Sequence, residues 1–172
     1  MIGKSSLIGA AGEYYVMSEL LHRGVIGALA PEGVPTIDIL VSSPLGNRLA
    51  SIQVKTRRTI VPAASWPMNE KHENISSDML FYCFVNMFDV PDKKPETFVV
   101  PSKVVAKLMK LSHVTWLSGK KKNGEARKDT PMRSFSRSHS NLNGLTSVDY
   151  SAGWLEQYRE RWDLLELELV KN

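Results

Sequence analysis

Residues 35–58, PTIDILVSSPLGNRLASIQVKTRR, contain two strand-like runs on either side of a turn-forming SSPLGN segment. In the run TIDILV, Ile37, Ile39 and Val41 alternate with the other three residues, so a period of two sends Asp38 to the face opposite that apolar set. In the run ASIQVKT, the same period places Gln53 and Lys55 together on one face. This stretch therefore predicts a hairpin that carries one acid, one amide and one lysine.

The register of this hairpin follows from its turn. A turn centred between residues 45 and 46 makes the two strands antiparallel, with Asp38 opposite Gln53 and Thr36 opposite Lys55. Cross-strand Cβ atoms then lie about 5 Å apart, with diagonal neighbours at roughly 7 to 8 Å. That spacing lets Asp38 and Gln53 share one hard cation, with Lys55 placed to reach a phosphate or a water beside it.

The composition is that of an ordinary folded protein. The chain has 172 residues, of which 42% are hydrophobic and 23% charged, and its formal net charge is +4. We expect residues 1–172 to form a single domain with a full core. The lone cysteine, Cys83, lies in the apolar run MLFYCFV, so we expect a core thiol, a reducing compartment and a cytoplasmic protein. No apolar run approaches the roughly 20 residues of a membrane helix, so no membrane association is expected.

Hydrophobic periodicity predicts an α/β protein. Apolar residues recur every three or four positions over residues 5–23, just ahead of Gly24, which indicates an amphipathic helix. Residues 59–77 contain two prolines and read as an irregular loop whose length hints at function. The strand at 79–87 is apolar at nearly every position, as in a strand covered on both faces. The other predicted elements are strands at 25–30, 97–100 and 114–117 and helices at 103–111 and 153–170.

The first helix carries a carboxylate at the edge of its buried face. Glu13 precedes two apolar positions of that face by three and four residues, so it borders the buried stripe rather than facing water. Gly9 and Gly12 each weaken the helix by roughly 1 kcal/mol relative to alanine, which suggests a close approach to the helix backbone. We expect the helix to lie against the sheet there.

An acid on one strand, followed on the next strand by an acid or amide, any residue and a lysine, resembles the PD-(D/E)XK nuclease superfamily. The resemblance covers roughly residues 5–100. Asp38 matches the motif's aspartate, Gln53 its (D/E) position and Lys55 its lysine. Glu13, in a GxxGE stretch, looks like the helix glutamate of the Holliday-junction-resolvase-like branch. The resemblance implies a restriction-endonuclease-like fold, a mixed β-sheet flanked by helices.

Two positions depart from the superfamily pattern. Ile37 replaces a proline that does not bind metal, whereas Gln53 puts a neutral amide where most members have a carboxylate. The resemblance implies that Asp38 and the amide oxygen of Gln53 bind Mg²⁺ or Mn²⁺, that Glu13 binds the ion directly or holds a metal-bound water, and that Lys55 orients water or stabilises an oxyanion. It predicts a metal-dependent DNA endonuclease, and one site per chain favours a homodimer. The alternative is a catalytically silent nucleic-acid-binding or partner-binding module, which the amide favours.

Positive charge concentrates in residues 119–139. This segment holds seven Lys or Arg residues against two acids, a local excess of +5. It predicts a basic loop that grips a DNA backbone, with Trp116 or Phe135 stacking on a base, although such charge runs are also common in solvated loops. The predicted DNA-binding residues are Arg57, Arg58, Lys120, Lys121, Lys122, Arg127, Lys128, Arg133 and Arg137.

Other kinds of site find little support in the sequence. The four histidines show neither HxxxH nor cysteine-paired spacing, so no zinc site is predicted and each is interpreted as a surface residue. They are His22, His72, His113 and His139. The numerous serines lack a GxSxG elbow, which disfavours a serine hydrolase. Trp154 and Trp162, at helical spacing, are expected in the core or at a dimer contact.

Overall fold

The computed structural model describes residues 4–59, 64–90 and 92–167. The chain begins with helix α1 (Lys4–His22) and strands β1 (Ile26–Leu29), β2 (Ile39–Ser42), β3 (Leu49–Thr59) and β4 (Ser65–Asn69). Strands β5 (Leu80–Phe88) and β6 (Glu96–Pro101), helix α2 (Ser102–Ser118) and strand β7 (Met132–Ser136) follow. In this part of the chain, short 3₁₀ helices lie at Glu70–Glu73, Ser140–Leu142, Trp154–Tyr158 and Trp162–Leu165. No helix within these ranges is long and apolar enough to cross a membrane.

The main sheet has five strands in the order β1-β2-β3-β5-β6. Strands β1, β2 and β3 form an antiparallel meander, β3 and β5 are parallel, and β6 pairs antiparallel with β5. Strands β4 and β7 form a separate antiparallel pair. The predicted mixed sheet flanked by helices is therefore confirmed.

The β2–β3 hairpin has the predicted register from Ile39 onward. The predicted pairing of Thr36 with Lys55 is wrong, because Thr36 lies in a turn ahead of β2 with a left-handed φ of 74°. Ile39 pairs with Ile52, and the backbone N–H of Asp38 donates to the carbonyl of Ile52 at 2.9 Å. Asp38 lies just ahead of β2, outside the paired ladder, and its side chain meets that of Gln53. Both Ile39 and Ile52 are fully buried. Since a slip of one residue would turn both isoleucines toward the opposite face, burial of the apolar set fixes where the acid and the amide meet.

Apolar side chains cover both faces of the sheet. One core includes Val16 of α1, Cys83 and Trp162, and the other includes Val105 of α2 and Trp154. Strand β5 contributes alternate residues to both cores, as expected for a central strand. Cys83 has 0% exposure. The predictions of a core thiol and of two packed tryptophans are confirmed.

Helix α2 is longer than the sequence predicted. It extends to Ser118, whereas the predicted helix ended at residue 111 and a strand was predicted at 114–117. That strand is wrong. Val114 and Trp116 favour strands, but both are substantially exposed. No neighbouring strand in the described part of the chain packs on them to stabilise an extended conformation. Their helix propensities cost only a few tenths of a kcal/mol each, less than the packing of α2 against β7 and the 3₁₀ helix Ser140–Leu142 supplies.

The predicted C-terminal helix at 153–170 is also wrong. Two 3₁₀ helices, Trp154–Tyr158 and Trp162–Leu165, are separated by residues 159–161, of which Arg159 forms a β-bridge with Phe98 of β6. Glu160 follows in the left-handed region, at φ 53°. Pairing with the edge strand β6 takes the backbone groups that a continuous helix needs, so the apolar residues pack without forming one. Residues 168–170 of the prediction lie outside the described residues.

Residues 59–77 are more ordered than the predicted loop. They contain β4 and the 3₁₀ helix Glu70–Glu73, which together connect β3 to the parallel strand β5. Pro67 is tolerated because β4 pairs with β7 alone and has an unpaired side. Residues 60–63 lie outside the described residues. The basic segment 119–139 likewise contains β7 and a short turn closed by a bridge between Lys120 and Ala126.

Candidate active site

The predicted acid and amide meet just before β2 begins. One carboxylate oxygen of Asp38, Oδ2, accepts a hydrogen bond from the backbone N–H of Val54 at 2.6 Å and another from Nε2 of Gln53. Gln53 is only 5% exposed. Within the described chain, Oδ1 of Asp38 accepts no hydrogen bond. Within the described residues, the protein therefore holds one oxygen of this carboxylate in place, and the other oxygen is available to a ligand.

Lys55 lies two residues beyond Gln53 on the same face of β3 and is half-buried. Burial lowers the pKa of its ammonium group, and the negative charge of Asp38 opposes that effect. The positive charge of Lys71 lowers the pKa further, while Glu13 opposes it more weakly than Asp38 does. Burial thus disfavours the charged form of Lys55, and the carboxylates of Asp38 and Glu13 stabilise it.

Helix α1 brings Glu13 to the same place. A Cβ atom at Gly12 would lie 1.8 Å from Oγ1 of Thr56, so the helix backbone rests directly on β3 beside Lys55. Burial raises the pKa of the Glu13 carboxyl, the charge of Asp38 raises it further, and Lys55 opposes both effects. The expected close approach is confirmed at Gly12. At Gly9 it is wrong, because nothing lies within 4 Å of a Cβ there.

The side chains at this site suit a hard divalent cation. The carboxylates of Glu13 and Asp38 and the amide of Gln53 offer oxygen atoms, which Mg²⁺ and Mn²⁺ prefer. Because the charge of Asp38 raises the pKa of Glu13, a cation between them would relieve their repulsion. In ranges 4–59, 64–90 and 92–167, no group of three or more His, Cys, Asp or Glu side chains could hold a metal. An ion at this site would therefore need Gln53 as well as the two acids.

Three further residues border this site, and the sequence did not single them out. Tyr82 stands beside Gln53 in the parallel β3–β5 ladder, and its pKa is raised by burial and then by the charge of Asp38. His72 meets the hydroxyl of Tyr82, with Nδ1 2.7 Å from Oη, and Lys71 precedes it in the chain. The only sequence signal for this group was the unusual length of the segment between β3 and β5.

Several of the predicted DNA-binding residues are held by protein groups. Arg133 is 9% exposed and forms an ion pair with Glu73. Arg137 reaches Glu96 at 3.3 Å. The remaining members of this set bind protein groups as follows: Arg57 donates to the Ser65 carbonyl, Arg58 pairs with Asp89, Lys121 pairs with Glu125, and Arg127 donates to the Trp116 carbonyl. Each of these cations has a protein partner in addition to any phosphate it meets.

Lys120, Lys122 and Lys128 differ from that group. All three are exposed, and none forms an ion pair within the described residues. Trp116 is 41% exposed and has the Arg127 guanidinium 5.0 Å from its ring centroid. Phe135, by contrast, has 0% exposure, and its ring stacks on that of Phe84 at 4.1 Å. The prediction that Phe135 stacks on a base is wrong, because this ring belongs to the core.

Two of the four histidines are buried rather than exposed. His72 and His139 are each 2% exposed, so their interpretation as surface residues is wrong. Burial lowers the pKa of each to about 4, with the charges of Lys55 and Lys71 contributing at His72. A neutral imidazole can be buried where its ring nitrogens find partners, and Nε2 of His139 accepts from the backbone N–H of Ser136 at 3.3 Å.

No protein-family model matches this sequence, and no curated protein matches it. Among solved structures, the chain is similar to a bacterial homing endonuclease, I-Ssp6803I, with a TM-score of 0.53, 13% identity and coverage of 95% of this chain and 92% of that one. A looser likeness is to Hjc, a Holliday junction resolvase of Archaeoglobus fulgidus, with a TM-score of 0.42, 13% identity and coverage of 78% and 88%. The first likeness confirms the predicted restriction-endonuclease-like fold.

Proposed function

We propose that this chain, which has the restriction-endonuclease-like fold of PD-(D/E)XK nucleases, is a metal-dependent DNA endonuclease. One observation carries the proposal: Asp38 and Gln53 are hydrogen-bonded, Lys55 lies beside them, and the charges of Glu13, Asp38 and Lys55 affect one another. Helix α1, strand β3 and the residue just ahead of β2 converge to make that arrangement. A protein of similar fold is a homing endonuclease, which supports the same chemistry.

The residues of the candidate active site have different roles in phosphodiester hydrolysis. A water oxygen bonds to phosphorus and releases a proton to solvent, the bond from phosphorus to the leaving sugar oxygen breaks, and that oxygen takes up a proton from solvent. A bound Mg²⁺ or Mn²⁺, held by Asp38, Gln53 and Glu13, would neutralise charge that develops on the phosphate. Glu13 would bind the ion directly or hold a water bound to it. Lys55 places its ammonium group against the phosphate oxygens.

The basic segment would hold the DNA. Lys120, Lys122 and Lys128 are free to meet phosphates, and we assign them the main non-specific contacts. Arg57, Arg58, Lys121, Arg127, Arg133 and Arg137 would support that surface while bound to their protein partners. Since each chain carries one site, cleavage of both strands of a duplex calls for a second copy, and we propose a homodimer.

A second candidate function is a DNA-binding module that does not cleave. The observation that favours it is the neutral Gln53, whose Nε2 donates to Asp38. An amide attracts a cation less than a carboxylate does, so the site would bind Mg²⁺ more weakly than one with a third acid.

Cleavage of a DNA panel distinguishes the two functions. We expect wild type to nick plasmid, linear duplex or branched DNA in Mg²⁺ or Mn²⁺, and to lose this activity in EDTA. Asp38→Asn keeps the side-chain volume and should be inactive under the same conditions. A wild type that is inactive on every substrate with both metals, yet binds DNA, would establish the non-cleaving module instead.

A further inference from the structure

The 3₁₀ helix Glu70–Glu73 belongs to the connection between β3 and β5 and lies beside the candidate site. Its start is fixed by Asn69, whose side-chain oxygen accepts a hydrogen bond from the backbone N–H of Lys71 at 3.1 Å. The segment also packs against α2. A capped and packed turn holds its side chains in a narrower range of positions than a free loop does, and this turn directs one lysine outward.

His72 fixes the turn to the sheet. Its Nδ1 lies 2.7 Å from Oη of Tyr82, and the two rings meet edge to face with centroids 5.6 Å apart. Tyr82 is fully buried and pairs with Gln53 across the β3–β5 ladder. A short chain of contacts therefore runs from Gln53 through Tyr82 to His72. Because burial lowers the pKa of His72 to about 4, the imidazole stays neutral near pH 7.

Lys71, next to this anchor, is exposed and forms no ion pair in the described parts of the chain. It directly precedes His72, whose contact with Tyr82 fixes the turn to the strand that pairs with β3 at Gln53. In keeping with this placement, its positive charge lowers the pKa of His72 and of Lys55. Two ammonium groups held near each other repel, and no acid is paired with Lys71 to offset that repulsion. An anion placed between the lysines would turn this unfavourable arrangement into a favourable one.

We propose that Lys71 is a substrate-binding residue that contacts a DNA backbone phosphate beside the one contacted by Lys55, with the His72–Tyr82 pair fixing the turn that presents it. This inference rests on the proposed function of the site. Lys71 would bind substrate and transition state alike, whereas Lys55 acts on the reacting phosphate. Loss of Lys71 should therefore raise KM and leave kcat nearly unchanged.

Salt-dependent DNA binding in EDTA tests the contact without requiring cleavage. Removing one lysine–phosphate contact should reduce the slope of log affinity against log salt by about one unit and weaken binding several-fold at low salt. Lys71→Ala should show this loss and Lys71→Arg should not. Lys110→Ala removes an equal charge from the exposed side of α2 and is the matched control. A slope for Lys71→Ala equal to that for Lys110→Ala would overturn the proposal.

The binding readout also separates this inference from the enzymatic one. An inactive wild type whose DNA affinity depends on Lys71 would overturn the endonuclease and support the contact. An active wild type in which Lys71→Ala changes neither the salt slope nor KM would support the endonuclease and overturn the Lys71 contact.

Tyr82→Phe tests the anchor, since it removes one hydroxyl and keeps the buried ring. In that background, Lys71→Ala should cost less DNA affinity than in wild type, because the turn no longer holds the lysine in place. If the double variant loses as much DNA binding free energy as the two single variants together, the anchoring role is contradicted. Thermal unfolding of Tyr82→Phe confirms that the variant is folded, and a double variant with Lys110→Ala controls for charge.

Discussion

Asp38 and Gln53 face each other across the β2–β3 hairpin, and Nε2 of Gln53 donates a hydrogen bond to Oδ2 of Asp38. A glutamate in place of Gln53 could not donate there, and two carboxylates would repel each other. The amide therefore allows a largely buried acid–amide pair to be stable without a cation. It leaves the amide oxygen, together with Oδ1 of Asp38, as the groups that can bind one.

Gln53→Glu should make the site depend more strongly on metal. We expect the free energy of unfolding in EDTA to fall by about 1–3 kcal/mol, because a donated hydrogen bond is replaced by charge repulsion. Added Mg²⁺ should then raise Tm more than it does for wild type, since binding to the folded state stabilises it. Gln53→Met, of similar size and uncharged, should show no such response. A Gln53→Glu protein that responds to Mg²⁺ no more than wild type would mean that this side chain does not face the ion.

Gly12 and Gly9 form a matched pair of substitutions on α1. Gly12→Ala would press a methyl group into Thr56, and we expect it to destabilise the protein by about 1–3 kcal/mol and to displace Glu13. Gly9→Ala meets nothing within 4 Å and should stabilise the helix by up to about 1 kcal/mol. Urea unfolding measures both effects. Equal changes at the two positions would contradict the contact between α1 and β3.

The buried histidines should make the fold sensitive to acid. Since the pKa of His72 and of His139 is about 4 in the folded protein and about 6.5 when unfolded, the unfolded state binds more protons between these values. The contribution of each neutral histidine to the free energy of unfolding is therefore fully present above pH 6.5. It decreases as the pH falls toward 4, by at most about 3 kcal/mol for each histidine. Urea unfolding of His139→Gln across this window should show a flatter pH dependence, whereas exposed His22→Gln should match wild type. Identical profiles for all three proteins would contradict the neutral burial of His139.

The three free lysines of the basic segment should account for much of the salt dependence of DNA binding. Changing Lys120, Lys122 and Lys128 together to alanine should flatten the slope of log affinity against log salt by two to three units. Lys121→Ala should have a smaller effect than any of the three single changes, because this lysine is paired with Glu125 at 2.9 Å. An unchanged slope in the triple variant would show that the basic segment is an ordinary solvated surface that does not contact DNA phosphates.

The sequence was informative where a repeating pattern meets a buried face. Alternation around Asp38 and Gln53 predicted the register because one face of each strand is buried, and a slip would expose it. Contacts between segments that are distant in the chain produce no periodic pattern in the sequence, so they could not be predicted from it. Nothing around Arg159 reveals that it bridges Phe98 and ends a helical pattern, and nothing around His72 reveals its bond to Tyr82. These features depend on where the chain folds back, which local periodicity does not encode.

Lys55→Ala gives the most direct test of the endonuclease, because the site assigns this lysine to the reacting phosphate rather than to DNA binding. We predict that the variant loses Mg²⁺- or Mn²⁺-dependent nicking of plasmid DNA by at least about a hundredfold, while its DNA affinity in EDTA stays within a few-fold of wild type. Wild type, measured in parallel, should be active with metal and inactive in EDTA. Cleavage that survives both Lys55→Ala and EDTA would show that the activity does not come from this site.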